Sequence, residues 1–245
     1  TLSSLEHIRL RPGMYIGRLG NGSHPSDGIY ILLKEIIDNS IDEFIMGYGK
    51  RIDIHIENGV VNIRDFGRGI PLGKVVECVS IINTGAKYND EVFQFSVGLN
   101  GVGTKAVNAL SDNFTVTSFR EKNQLSAEFK AGELTNTPET YETNESNGTR
   151  ISFTPDSNLF PNYSYDLGTI RKQLWNYAYL NRKLTITLNG EKFKSDNGLL
   201  DLMHEEVSDS NLYDIVHCQS GNLEMAFTHT EHYGEEYFSY VNGHH

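Results

Sequence analysis

The chain predicts an α+β fold, a two-layer α/β sandwich on a mostly antiparallel sheet, followed by the start of a second unit. Three observations carry this. One long amphipathic helical pattern lies near the start, short alternating runs joined by polar and Asn-Gly turns follow it, and after about residue 195 the order of elements begins again.

Residues 28–47 place Ile29, Leu32, Leu33, Ile36, Ile37, Ile41, Phe44 and Ile45 at helical spacing, and Gly47 and Gly49 stop the pattern. Residues 51–57 and 60–64 then alternate apolar and polar side chains around Asn58-Gly59, the strongest short hairpin signal. The second of these strands delivers Asp65 to its end. A helix is expected over residues 72–82, and residues 88–103 are too polar and glycine-rich to be regular, which reads as a loop or lid. Residues 104–110 open a helix directly from those glycines. Residues 114–119, 125–130 and 150–153 read as antiparallel strands, with a polar connection over 136–148. Residues 166–180 return to helical spacing through Ile170, Leu174, Trp175 and Ala178, and residues 184–188 with Asn189-Gly190 begin another hairpin. Beyond residue 195 a short helix at 199–206 precedes strands at 213–218, 223–228 and 237–241. The expected division is therefore residues 1–194 as one domain and 195–245 as the incomplete beginning of another.

Composition narrows the function classes. A net charge of −11 argues against this chain being a main DNA-gripping surface, because phosphate binding needs clustered Lys and Arg. Cys78 and Cys218 lie far apart without metal-ligand spacing, which fits a reducing compartment and makes cytoplasm the expected location. No apolar run is long enough to span a bilayer, and the start carries no signal-peptide pattern, so no membrane partner is expected. The histidines form no H-E-x-x-H or paired Cys/His pattern.

Three short motifs remain: Glu35-x-x-x-Asn39, Asp65-x-Gly67-x-Gly69 and Gly98-x-x-Gly101-x-Gly103. Glu35 and Asn39 lie four apart and share one helical strip with Asp38 and Asp42; an exposed acidic face is the plain alternative. Asp65 ends a strand before Phe66-Gly67-Arg68-Gly69-Ile70-Pro71, where missing Cβ atoms let a ligand approach the backbone; a glycine-rich turn is the alternative. Gly98-Leu99-Asn100-Gly101-Val102-Gly103 runs into a helix start, a place suited to phosphate oxygens. It is neither a dinucleotide fingerprint nor a Walker loop. Lys105 behind it is either an added charge or a solvated surface lysine. Cys78 sits on the apolar side of its helix and reads as core.

Taken together, these motifs resemble the GHKL (Bergerat) ATPases. Arg11-Pro12-Gly13-Met14-Tyr15-Ile16-Gly17, Asp38-Asn39-Ser40-Ile41-Asp42-Glu43 and Gly67-Arg68-Gly69-Ile70-Pro71 are similar to the ATPase subunit of bacterial type IIA topoisomerases. Within that group, residues 32–44 and Asn83-Thr84-Gly85-Ala86-Lys87-Tyr88 look closer to the topoisomerase IV form of this ATPase than to gyrase B. MutL repair proteins, heat-shock chaperones and histidine kinases share the three motifs but are not expected to carry the Arg11 to Gly17 segment.

The resemblance implies the Bergerat sandwich, ATP as ligand and Mg2+ as its metal. It implies Glu35 as general base and Asn39 as metal ligand, with Asp42 and Glu43 beside them. Asp65 and Thr149 would read adenine, while Gly67, Arg68, Gly69, Ile70 and Pro71 bed the base and ribose, with Arg68 and Glu43 paired. Gly98, Leu99, Asn100, Gly101, Val102 and Gly103 would cradle phosphates; Asn100 stands where many gyrase-type sequences carry His. Lys87 and Arg120 match basic positions at the pocket mouth. Further implications are a topoisomerase A-type partner and DNA, both engaged through the full-length enzyme, and ATP-dependent homodimerisation. A fragment lacking the transducer lysine and part of the N-terminal arm is expected to be monomeric, to bind ATP and to turn it over slowly.

Overall fold

The computed structural model describes residues 3–82, 102–208, 210–221 and 223–240. In chain order its elements are helices α1 (Ser4–Leu10), α2 (Gly13–Ile16) and α3 (Gly28–Ile45), strands β1 (Arg51–Glu57) and β2 (Val60–Asp65), a 3-10 turn at Leu72–Lys74, and helices α4 (Val75–Ser80) and α5 (Gly103–Ala109). Strands β3 (Ser111–Arg120), β4 (Asn123–Lys130), β5 (Glu133–Leu134), β6 (Thr140–Glu142) and β7 (Gly148–Pro155) follow, then α6 (Leu167–Leu180), β8 (Thr185–Leu188), β9 (Glu191–Phe193), α7 (Leu199–Val207), β10 (Val216–Ser220) and β11 (Leu223–Phe227).

Nine strands form one sheet in the order β5-β4-β3-β7-β2-β1-β8-β9, with β5 and β6 pairing with opposite ends of β4. Every pairing is antiparallel except β1 with β8, in register from Arg51↔Thr185 to Ile54↔Leu188. The β1–β2 hairpin closes through Asn58 and Gly59 at φ 51° and 80°, the double positive φ that a two-residue turn matched to strand twist demands. Along β1, Ile52, Ile54 and Ile56 are buried while Asp53, His55 and Glu57 face outward, so only one face of the sheet needs cover.

Helix α3 supplies much of that cover. Its Leu32, Leu33, Ile36 and Ile37 are at most 2% exposed and join Ile54, Ile63, Phe114 and Phe153 in a single core. Each such side chain contributes about 1.5–3 kcal/mol of burial, which fixes the helix by its apolar face and leaves the opposite strip for polar work. Helix α1 starts with a reciprocal capping box between Ser3 and Glu6. Arg9 of α1 then donates to the Ala109 carbonyl and to Asp156, both at 2.7 Å, pinning α1 to the far end of α5.

Several expectations are corrected. The single helix over 72–82 is a 3-10 turn followed by the shorter α4, because Gly73 in its first turn costs the helix about 1 kcal/mol. The connection over 136–148 contains β6. Trp175 is not core: it is 36% exposed, and Tyr177 takes the buried position beside Leu174 and Ala178. No strand forms at 237–240, since β10 and β11 pair only with each other and offer that segment no ladder. The expected lid over 88–101 lies outside the described residues. Among the described residues, no helix is long and apolar enough to cross a membrane.

Candidate active site

The polar strip of α3 carries Glu35, Asp38, Asn39, Asp42 and Glu43; α5 meets it at Glu35 and Asn39, the 67–68 backbone meets it at Glu43, and Asp65 at the end of β2 is bound by Gly67 and by Thr149 of β7. The structure therefore brings together Glu35, Asn39, Asp42, Glu43, Asp65, Gly67, Arg68, Gly69, Ile70, Gly103 and Thr149. Lys87, Gly98, Leu99, Asn100 and Gly101 lie outside the described residues.

Asp65 is 5% exposed at the end of β2. Its Oδ1 accepts the backbone N–H of Gly67 at 2.9 Å and that of Thr149 at 3.2 Å. Both bonds fall on one oxygen, so Oδ2 keeps its accepting capacity. Burial outweighs those bonds and pushes the carboxyl up to about 6. The backbone beneath is clamped by Arg64, which donates to the Asp65 carbonyl at 2.5 Å and the Ser146 carbonyl at 2.6 Å and lies over the rings of Phe66 and Phe119. Gly148, at φ +138°, passes so close that a Cβ would collide with the Asp65 carbonyl and the Arg64 guanidinium.

Glu43 is 3% exposed and forms a two-pronged pair with Arg68, Nη2 to Oε1 at 2.7 Å and Nε to Oε2 at 3.1 Å. The Arg68 backbone N–H also donates to Oε2 at 2.9 Å. This differs from the exposed ion pair that a surface reading would suggest, since one partner is wholly desolvated and its loss of hydration is met by three donors. Gly67 packs on the Glu43 side chain, and Gly69, at φ +75°, lies against the Phe119 carbonyl; neither position has room for a Cβ. Ile70 is fully buried, its carbonyl accepting from the Ser118 hydroxyl at 2.6 Å, and Pro71 is half-buried behind it. Arg120 reaches the Gly69 carbonyl at 3.3 Å, at the rim of the same turn.

Glu35 makes no hydrogen bond or ion pair among the described residues, and burial together with the neighbouring Asp38 raises its proton affinity. Gly103 sits directly against its carboxylate, so the α5 N-terminus abuts the strip, with Val102 half-buried just before it. Asn39 donates from Nδ2 to the Thr104 hydroxyl at 2.7 Å, which leaves its amide oxygen to act as an acceptor. Asp42 has its Oδ2 buried without a partner among the described residues and its carboxyl pushed up to about 7 by burial, then by Asp38 and Glu43. Orphaned buried acceptors are rare in folded proteins and cluster where a ligand or water belongs.

Lys105 is not the solvated surface lysine that was one of its two alternatives. It is 8% exposed, and burial lowers its ammonium pKa beside the half-buried Cys78, whose thiol burial pushes up. Arg64, which clamps the Asp65 backbone, and Tyr177, which is buried on α6, were not legible in the sequence. The one available signal was Tyr177 recurring at helical spacing with Ile170, Leu174 and Ala178.

No group of three His, Cys, Asp or Glu side chains that could hold a metal occurs among the described residues. The residues fit Mg2+ through Asn39, whose amide oxygen is the hard ligand such an ion would take beside substrate phosphates and waters.

A family model described as histidine kinase-, DNA gyrase B- and HSP90-like ATPase matches residues 24–159. The B subunit of DNA topoisomerase 4 from Borreliella burgdorferi is 60% identical over 244 residues, covering 99% of this chain and 41% of that protein. The B subunit of DNA gyrase from Clostridium acetobutylicum is 32% identical over 266 residues, covering 100% of this chain and 41% of that one. The crystal structure of the 43K ATPase domain of Thermus thermophilus gyrase B, in complex with an aminocoumarin, superposes with a TM-score of 0.78 at 29% identity, covering 96% of this chain and 65% of that one. The chain thus spans less than half the length of the curated relatives it matches. With the family match extending over more than half of its residues and a gyrase B ATPase-domain fold around them, the chain belongs to the histidine kinase-, DNA gyrase B- and HSP90-like ATPases.

Proposed function

We propose that this chain is the ATP-binding and ATP-hydrolysing module of a type IIA topoisomerase B subunit of the topoisomerase IV kind. The observation that carries the reading is Asp65. A buried carboxylate has one oxygen occupied by two backbone donors and the other left to accept, beside glycines that admit a flat ligand to the backbone. The exocyclic amine of adenine is the complementary donor, whereas guanine presents a carbonyl there. The 60% identity to the B subunit of a topoisomerase 4 supports the choice of topoisomerase IV over gyrase.

In this reading Asn39 would hold Mg2+ through its amide oxygen, and bound there the ion would supply neutralising charge to the triphosphate. Glu35 takes the proton from the attacking water as its oxygen bonds to the terminal phosphorus and the bond to the bridging oxygen breaks; the products are ADP and inorganic phosphate. By the resemblance, the 98–103 motif would meet the phosphates and Lys87 would add a basic group, while Arg120 stands at the rim of the 65–71 turn. Residues 1–194 form the ATPase domain, and 195–245 begin a second domain. Working in the cytoplasm, the longer protein dimerises on ATP and couples closure to DNA passage with an A-type subunit.

Calorimetric titration with ATP and with GTP tests the proposal. ATP is expected to bind with clear preference and the chain to show no measurable DNA affinity; indifference between the two bases would refute the placement of Asp65.

A further inference from the structure

Tyr177 lies on α6, 6% exposed, and its hydroxyl donates to Asp38 Oδ1 at 2.5 Å. The other Asp38 oxygen is held by the Lys34 ammonium one helical turn earlier. A phenol from α6 and a carboxylate and an ammonium from α3 therefore form one tie, with the Asp38 side chain 13% exposed. Burial and the neighbouring carboxylate keep the phenol protonated, so it remains a donor.

The location gives the tie its meaning. Asp38 is three residues after Glu35 and one before Asn39, so all three lie within little more than one turn, about 6 Å of helix axis. The apolar face of α3 fixes the helix against the sheet, but sliding contacts between methyl groups resist rotation about the axis weakly compared with a directed, charge-assisted hydrogen bond. A rotation of about 10° moves a side-chain group about 6 Å from the axis by about 1 Å. Displacements of that size cost up to about a hundredfold in rate when they spoil a reacting geometry.

We propose that Tyr177 is a positioning residue for the nucleotide site, acting through Asp38 to set the angle at which α3 presents Glu35 and Asn39. The inference rests on the ATP reading above and adds a residue from a distant helix to it.

The test compares the 245-residue chain with Tyr177→Phe, Asp38→Asn and the double variant. Phe preserves the buried ring and removes only the donor, and thermal unfolding confirms that each variant is folded. Calorimetry gives ATP affinity with and without Mg2+, and single-turnover hydrolysis gives the rate of the chemical step. For Tyr177→Phe, affinity without Mg2+ should stay within about twofold, while the Mg2+-dependent gain shrinks and the rate falls about tenfold. The double variant should be no slower than Asp38→Asn alone. Where hydrolysis by the parent chain is too slow to follow, the Mg2+-dependent gain decides. An unchanged rate and an unchanged Mg2+ gain in Tyr177→Phe would overturn the positioning role, as would additive losses in the double variant. A parent chain that fails to bind ATP at all would instead overturn the ATP reading, and this inference with it.

Discussion

Replacing Asp65 by Asn separates what the carboxylate does for binding from what it costs the fold. The side chain keeps its shape, and its amide oxygen can still accept from Gly67 and Thr149. What disappears is a buried charge whose pKa stands at about 6 instead of 3.8. Raising a carboxyl that far corresponds to roughly 3 kcal/mol. At the lowest pH both folded and unfolded states carry the proton and the two proteins are equally stable. Between 3.8 and about 6 the folded protein retains a proton that the unfolded chain has released, so stability falls as pH rises; above about 6 the full penalty applies. In urea unfolding without nucleotide, Asp65→Asn should therefore be more stable than the parent at pH 8, by up to about 3 kcal/mol, with the gap closing toward pH 4. ATP binding should move the other way. Losing a charge-assisted hydrogen bond costs about 1.5–3 kcal/mol, or about ten- to a hundredfold in affinity at pH 7 to 8. The affinity ratio of parent to variant, in which the nucleotide's own titration cancels, should narrow as pH drops below about 6. A variant that is less stable than the parent at pH 8, or that binds ATP equally well there, would refute this account of Asp65.

Glu35→Gln should leave ATP affinity nearly intact and reduce the single-turnover rate by about a hundredfold or more, because a general base acts in the transition state. Because burial raises the Glu35 pKa, the acid limb of the parent's pH–rate profile should lie above the ordinary carboxylate range, and stopped assays across pH 4 to 8 would show it. Arg68→Ala strips the two-pronged partner from Glu43, a carboxylate only 3% exposed, and should destabilise the chain by about 3 kcal/mol in urea unfolding. A loss below about 0.5 kcal/mol would show the pair to be no stronger than a surface one.

Much of the candidate site is legible in the sequence because its residues fall in short local patterns. Glu35 and Asn39 share a strip because they are four apart on a helix, and Asn58-Gly59 turns a hairpin because both residues tolerate positive φ. Asp65 follows at the strand's end by simple alternation. Where the pattern failed, the cause was a partner far away in sequence. The periodicity of 166–180 admits Trp175 and Tyr177 to neighbouring faces, and only packing against α3 decides that the tyrosine goes in. Lys105 reads as solvated in any sequence window, yet α4 and α5 cover it. Nothing local distinguishes Glu43 as a desolvated group, since its burial comes from the 67–68 backbone folding back across α3.

Helical period, strand alternation and glycine turns are properties of neighbouring residues, so the family resemblance, the sandwich and the order of the motifs can be read without the fold. Tertiary structure alone decided the electrostatics. A carboxylate's proton affinity, its free oxygen and its cross-helix donors depend on how much water is excluded and which distant groups replace it. Asp65 is held by residue 149, Asp38 by residue 177, and Asp42 keeps a buried oxygen with no partner among the described residues.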